Sequence, residues 1–551
     1  MRNYFSVFVF TILFLSCSKK DNSDIIPPDS AIYTLDCASA VATVDNNYTG
    51  NIDVPYTGGN GTNYITGTPI ASTGVTGLTA TLQEGKLTNG AGNLSYTLTG
   101  TPSDLGTASF TISFGAETCE INLQINELPL SQYGTPFTGI PDTRDAVIYQ
   151  VNMRAFSSSR NFQGVIDRLD YIKALGVNVI YLMPTYPVGV LNAINSPYCV
   201  KDYKAVNTEF GNLTDLRNLI DGAHSRGMAV IMDWVANHTS WDNEWISIHK
   251  DWYMQNAAGN ILSPSMEWND VAQLNFSNDS MRKEMINCMK YWIYTANCDG
   301  FRFDYADGPP NDFWKQAIDT LRNIKTHNLL LLAESGNASK YKAGFDYIFG
   351  FGFYYNLKSI YSNNLSVQTI DNFNNTEYDG VLNSQQQVVR YISNHDVTNA
   401  NTPLELFGGS AGSMAAFVVA AYMKGVPMIY NGQEVGTNYP LNIFTSVQTI
   451  NWNQNQSMED EYKKIIAFRN NSIAIRRGLL ASYSNANICA FTKEYGTEKI
   501  FVVSNLRNNS ISYSLPTIVA NQTWTDAMNG EMVTLTNQID LQPYSYIILK
   551  K

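Results

Sequence analysis

Four carboxylates stand at the ends of long apolar runs: Asp233 in VIMDWVANH, Asp304 in FRFDYAD, Glu334 in LLLLAES and Asp396 in ISNHD. A charged group that closes a hydrophobic strand is costly unless water or a partner receives it. Arg302, His238 and His395 lie beside them in the sequence. Several acids with few bases suit glycosyl transfer, in which one carboxylate attacks an anomeric carbon and a second carboxyl protonates the leaving oxygen. Residues two apart on a strand share a face, so Arg302 would stand beside Asp304 and hold it as a carboxylate. Glu334 ends a very apolar run, where desolvation would raise its pKa and keep it protonated. This reading makes Asp304 the nucleophile and Glu334 the acid/base.

Such side chains need a frame that gathers them. Between residues 143 and 470, apolar runs alternate with helical stretches. The runs lie at 147–152, 177–184, 228–235, 299–306, 328–335, 345–350, 388–396 and 426–434. Runs of this kind separated by helices predict parallel strands with crossover connections, and eight of them predict a (β/α)8 TIM barrel. Asp304 and Glu334 are 30 residues apart, Glu334 and Asp396 are 62 apart, and Asp233 and Asp304 are 71 apart. Those intervals put the acids on strands three, four, five and seven, with an insertion between three and four. The C-terminal ends of barrel strands form the active-site face, so all four acids are expected on one rim.

In this order the motifs resemble those of glycoside hydrolase family 13, the α-amylase family. DWVANH (233–238) is similar to its first conserved region, GFRFD (300–304) to its second, AE (333–334) to its third and SNHD (393–396) to its fourth. VPMIYNGQE (426–434) resembles its strand-eight segment, and SPYCVKDY (196–203) the loop after strand two. The resemblance runs from residue 143 to the end. It implies a retaining glycosidase that cleaves α-1,4-glucosidic bonds in starch, maltodextrins or cyclodextrins. It implies Asp304 as nucleophile, Glu334 as acid/base and Asp396 as a third carboxylate that stabilises the distorted sugar. Tyr198, Asp233, His238, Arg302 and His395 would surround the same glucose, with Tyr198 stacked on its ring. Glucan transfer and α-1,6 cleavage use the same covalent intermediate and stay open. A non-catalytic glycan-binding barrel would have lost a catalytic carboxylate, and all three are present.

Departures from the family pattern touch metal binding. The family's domain B, here a short insertion at 239–285, usually carries an Asp before Leu-Asn, where this chain has Gln273. Asn237 remains as a calcium ligand, but calcium wants 6–8 oxygens. The Lys-His pair that follows the nucleophile in many relatives is replaced by Tyr305 and Ala306. The chemistry requires no cofactor, and any calcium would be structural.

The flanks read differently. Residues 1–17 carry Arg2 and then the apolar run Val7–Leu15. That is shorter than the roughly 20 residues a spanning helix needs and fits an export signal. FLSC resembles a bacterial lipobox, which implies a lipid on Cys17, a polar tether over 18–30 and an outer-membrane lipoprotein. Residues 31–128 show period-2 alternation between turn residues and predict an Ig-like β-sandwich. Part of it, 54–82, resembles a module of Bacteroidetes surface proteins, which leaves a spacer or a carbohydrate-binding role open. Cys37 and Cys119 bracket this module and would close its ends by a disulfide in an oxidising compartment. The other cysteines, Cys199, Cys288, Cys298 and Cys489, read as buried thiols. Residues 129–142 read as a Pro/Gly linker, and 471–551 as a small antiparallel β domain. With 36 basic and 48 acidic residues the net charge is −12, which excludes a nucleic-acid binder. Aromatic residues at 12% against 15% charged suit a neutral polar ligand such as a sugar.

Overall fold

Eight short parallel strands close into a barrel. They are β1 Ile148–Val151, β2 Val179–Leu182, β3 Ala229–Trp234, β4 Gly300–Phe303, β5 Leu330–Ala333, β6 Tyr347–Phe349, β7 Gln387–Arg390 and β8 Val426–Tyr430. Each expected run supplies one strand. Nearly every strand residue is buried, because one face meets the barrel interior and the other meets helices, so the runs are continuously apolar rather than alternating. This computed structural model describes residues 33–44, 48–103, 106–125, 130–444 and 448–551. The leader, the tether and Cys17 lie outside the described residues.

The helices that return the chain are fixed by their caps. Between β2 and β3, helix Leu213–His224 starts at Asn212, whose side chain accepts from the N–H groups of Thr214 and Asp215 while Asp215 answers the Asn212 N–H. This reciprocal capping box satisfies donors that a helix start leaves free. The helix buries Leu216, Leu219, Ile220 and Ala223, the three- and four-residue spacing of one face. Between β3 and β4, His238–Ser240 pairs with Val271–Gln273 to make a two-stranded sheet. Helix Asp279–Ala296 then begins earlier than the expected insertion ends. Asn278 caps it by accepting from the Met281 N–H, so the insertion stops at 278.

β4 opens on Gly300 at φ +140°. The strand lies so close to β5 there that a Cβ would sit 1.9 Å from the Leu330 carbonyl oxygen. Glycine alone tolerates both the dihedral and the approach.

The two compact units of the chain are Met1–Pro129 and Leu130–Lys551. In the second unit, residues 130–142 include side chains that pack against helix Leu213–His224. Phe137 stacks on the His224 ring at 4.4 Å, the Arg217 guanidinium covers Tyr133 at 4.1 Å, and the Tyr133 hydroxyl donates to Asp221 at 2.6 Å. The two aromatic rings give a Pro/Gly stretch something to bury. After helices Gln456–Asn471 and Ile473–Arg477 comes a six-stranded antiparallel sheet that starts at Leu479. Successive residues of its strands face opposite ways. Cys489, Phe491, Ile500 and Val502 join the barrel core, while Ile488, Ala490, Phe501 and Val503 build a separate outer core.

Among its described residues, the first unit has a six-stranded, a three-stranded and a short two-stranded antiparallel sheet, with one core that includes Ile52, Val54, Leu94, Tyr96, Phe110 and Ile112. A disulfide joins Cys37 to Cys119, and Cys199, Cys288, Cys298 and Cys489 are buried free thiols. Among the described residues, no helix is long and apolar enough to cross a membrane.

Candidate active site

Asp304 and Glu334 are the first residues beyond β4 and β5. Phe303 pairs with Ala333 across that ladder, and the Glu334 N–H donates to the Phe303 carbonyl at 2.9 Å, so the two acids emerge side by side. Asp233 lies in β3, in register with Arg302 of β4. Arg302 is wholly buried and its guanidinium serves three carboxylates. Nη1 lies 2.6 Å from Asp233 Oδ1 and 3.2 Å from Asp304 Oδ1, and Nη2 lies 2.5 Å from Glu334 Oε1. Asp396 sits in the loop after β7, half exposed, with its Oδ1 3.3 Å from His395 Nε2. The four acids therefore meet at one end of the barrel.

The aromatic and imidazole side chains interlock around them. The Tyr181 and Tyr198 hydroxyls both donate to Asp233 Oδ2, at 2.6 and 2.9 Å. The Tyr198 ring stacks on His395 at 5.3 Å, and its hydroxyl lies 2.7 Å from His395 Nε2. His238 Nε2 is 3.2 Å from the Tyr198 carbonyl oxygen. Burial holds both His238 and His395 down to about 4, so each is neutral at neutral pH.

A cavity of about 460 Å³ opens over these groups, lined by Asp304, Glu334, Asp396, Tyr198 and His395. Its wall also holds Trp268, from the insertion, and Tyr305. Their rings meet edge to face at 4.9 Å. Tyr305 has φ +39°, a conformation that costs a bulky residue energy and persists where the surroundings enforce it. Its backbone N–H donates to Glu334 Oε2 at 2.7 Å. A second cavity of about 540 Å³, between Ser410–Met414 and Pro543–Ile548, contains none of the four acids.

The electrostatics differ from the sequence expectation. Burial pushes the Asp304 carboxyl well up, the Glu334 charge adds to the rise, and Arg302 opposes it. The side chains of Asp304 and Glu334 are 13% and 14% exposed, so the apolar strand before Glu334 does not single it out for desolvation. Both carboxyls stand on the one guanidinium of Arg302.

The residues near Asn237 do not fit calcium. Gln273 directs its amide nitrogen at the Asn237 side-chain and backbone oxygens, 3.2 Å from each, and at the Leu274 carbonyl oxygen at 3.3 Å. A donor occupies the position where a cation would need oxygens. Among the described residues, no group of three or more His, Cys, Asp or Glu is placed to hold a metal.

Trp268 and Gln150 were not singled out from the sequence. Trp268 sits in an irregular stretch with no periodicity to mark it. Gln150 did carry a signal, being the one polar residue inside the run VIYQV.

The family profile described as "Alpha amylase, catalytic domain" matches residues 150–508, and that for "Maltogenic Amylase, C-terminal domain" matches 480–548. The chain therefore belongs to the α-amylase family, glycoside hydrolase family 13, and is a glycosidase of that family. Alpha-amylase 3 of Dictyoglomus thermophilum is 26% identical over 478 residues, which span 74% of this chain and 94% of that protein. A cyclomaltodextrinase of Thermoanaerobacter pseudethanolicus is 26% identical over 424 residues, 71% of this chain and 70% of that protein. The maltogenic alpha-amylase AmyB of Thermotoga neapolitana shares the fold with a TM-score of 0.67 at 24% identity, over 75% of this chain and 99% of that one.

Proposed function

We propose that the chain is a retaining hydrolase that cleaves α-1,4-glucosidic bonds in starch, maltodextrins or cyclodextrins. The observation that carries this reading is the single buried guanidinium of Arg302 in contact with both Asp304 and Glu334. Glycosidic cleavage needs one carboxyl to attack and a second to protonate the leaving oxygen, and this guanidinium holds two side by side. Asp304 attacks the anomeric carbon while Glu334 gives its proton to the glycosidic oxygen. The C1–O bond breaks and the leaving sugar departs. Glu334 then takes a proton from water, whose oxygen attacks C1 and displaces Asp304, so two inversions return the original anomer. Arg302 offers fixed positive charge to Asp304 as it regains its own. Asp396, on the wall of the same cavity, braces the distorted sugar, and Tyr198, Asp233, His238 and His395 shape its pocket. Relatives named cyclomaltodextrinase and maltogenic alpha-amylase support short or cyclic glucans as substrates. Since a relative is also named probable oligo-1,6-glucosidase, the test includes that linkage. The leader supports export and a lipid anchor at Cys17 on the outer membrane.

Purified protein incubated with starch, maltotriose, cyclodextrin, pullulan and isomaltose should release maltodextrins as the α-anomer, read by chromatography and proton NMR. First appearance of the β-anomer, or cleavage of isomaltose alone, overturns the reading. Asp304→Asn should cut turnover by about 10⁴-fold while calorimetry still detects bound maltooligosaccharide.

A further inference from the structure

Gln150 lies on β1, fully buried, in a strand whose other residues are apolar. Its amide nitrogen is 2.7 Å from His395 Nδ1. The other ring nitrogen, Nε2, is 2.7 Å from the Tyr198 hydroxyl, which is itself 2.9 Å from Asp233 Oδ2. The charges decide which way the protons run along this line. Asp233 is paired with Arg302 at 2.6 Å, so it accepts, and the single Tyr198 hydroxyl proton must point to it. The Tyr198 oxygen is then left to accept, and only a proton on His395 Nε2 can reach it. That leaves Nδ1 bare, and a bare ring nitrogen buried beside Gln150 needs a donor. The Gln150 amide nitrogen is that donor. Among the described residues its own carbonyl oxygen has no protein partner, so the ring fixes which way the amide turns.

We infer that Gln150 is a positioning residue that locks His395 as the neutral tautomer with its proton on Nε2. The consequence reaches the sugar pocket. Nε2 lies 2.7 Å from the Tyr198 oxygen and 3.3 Å from Asp396 Oδ1, so the lock sets the hydrogen-bond direction of the ring beside Asp396 and fixes the Tyr198 ring against it. The role assigned to the line rests on the hydrolase reading above, but the tautomer itself does not. The charged and titratable groups that face His395 are Asp396, Tyr198, Arg302, Glu334 and Asp233. Gln150 is the neutral member, and a carboxylate in its place reverses the demand, because it accepts and calls for a proton on Nδ1.

The chain has only five histidines, so ¹⁵N-histidine labelling of the full protein, assigned with His395→Gln, reads the ring directly. The wild-type protein at pH 7 should show His395 with a bare Nδ1 and a protonated Nε2. A proton on Nδ1, or an imidazolium, overturns the inference before any variant is made. Gln150→Glu should move the proton to Nδ1 and shift the pH–rate profile for maltotriose hydrolysis. Gln150→Leu should yield both tautomers and lower kcat by about 10- to 100-fold, more than it changes KM. Thermal melts identify variants that have not folded. A folded Gln150→Glu protein with wild-type ring shifts and pH profile sinks the proposal. A wild-type protein that shows the expected tautomer yet cleaves no α-glucan refutes the hydrolase reading and leaves the lock standing.

Discussion

Arg302 concentrates the electrostatics of the site in one side chain. Three carboxylates compensate its burial, and each of them depends on it in return. The two neutral histidines of the pocket carry a measurable consequence. Burial lowers His238 and His395 to about 4, below the value of about 6.5 they take in the unfolded chain. Their contribution to stability is complete above pH 6.5. As pH falls, the unfolded chain binds these protons first, so stability is lost between about 6.5 and about 4. Urea titrations across that window should show the unfolding free energy falling with acid. In His238→Gln the fall should be shallower by up to about 1.4 kcal/mol per pH unit. At this scale the sequence revealed the acids, because a charge at the end of an apolar run is conspicuous. It singled out Glu334 for desolvation, whereas Asp304 and Glu334 are sheltered alike, because Arg302 reaches both and neighbouring loops cover both. Trp268 was illegible for a related reason: its place on the cavity wall comes from the path of the insertion, which has no repeating pattern.

Strand register does the work of gathering. Glu334 meets Asp304 because β4 and β5 pair in parallel with Phe303 opposite Ala333, and that pairing begins at Gly300. Gly300→Ala should force the strands apart at the Leu330 carbonyl and cost about 1–3 kcal/mol. A lower melting temperature accompanied by lost turnover would show that register, rather than side-chain chemistry alone, sets the active geometry. All eight strands could be read from their apolar runs, since burial on both faces leaves that signature. The ends of elements were harder. The helix that starts at Asp279 was hidden inside the expected insertion because one Asn cap decides it. Residues 129–142 read as a Pro/Gly linker because their Pro and Gly are visible in sequence, while the partners of Tyr133 and Phe137 are not. At Gln273 the insertion supplies a donor to Asn237 in place of calcium oxygens, so dialysis against a chelator should leave the melting temperature unchanged. A clear drop that calcium restores would contradict this arrangement.

The whole chain joins two kinds of chemistry. Residues from Leu130 onward carry every group of the proposed reaction, and the proposed leader would decide where that reaction takes place. Replacing Cys17 with Ala should release the protein from membranes into the soluble exported fraction, followed by fractionation and immunoblot. Unchanged membrane association would refute the lipid anchor. The bond between Cys37 and Cys119 closes 82 residues of the first unit, while the cysteines of the second unit are enclosed thiols. Maturation thus has separate dependences. In a glutathione-rich cytosol the N-terminal module would forfeit a tie worth about 4 kcal/mol, and limited proteolysis should cut it first while the proposed glucan turnover persists. An oxidising compartment would complete the module while meeting, among the described residues of the second unit, only buried thiols.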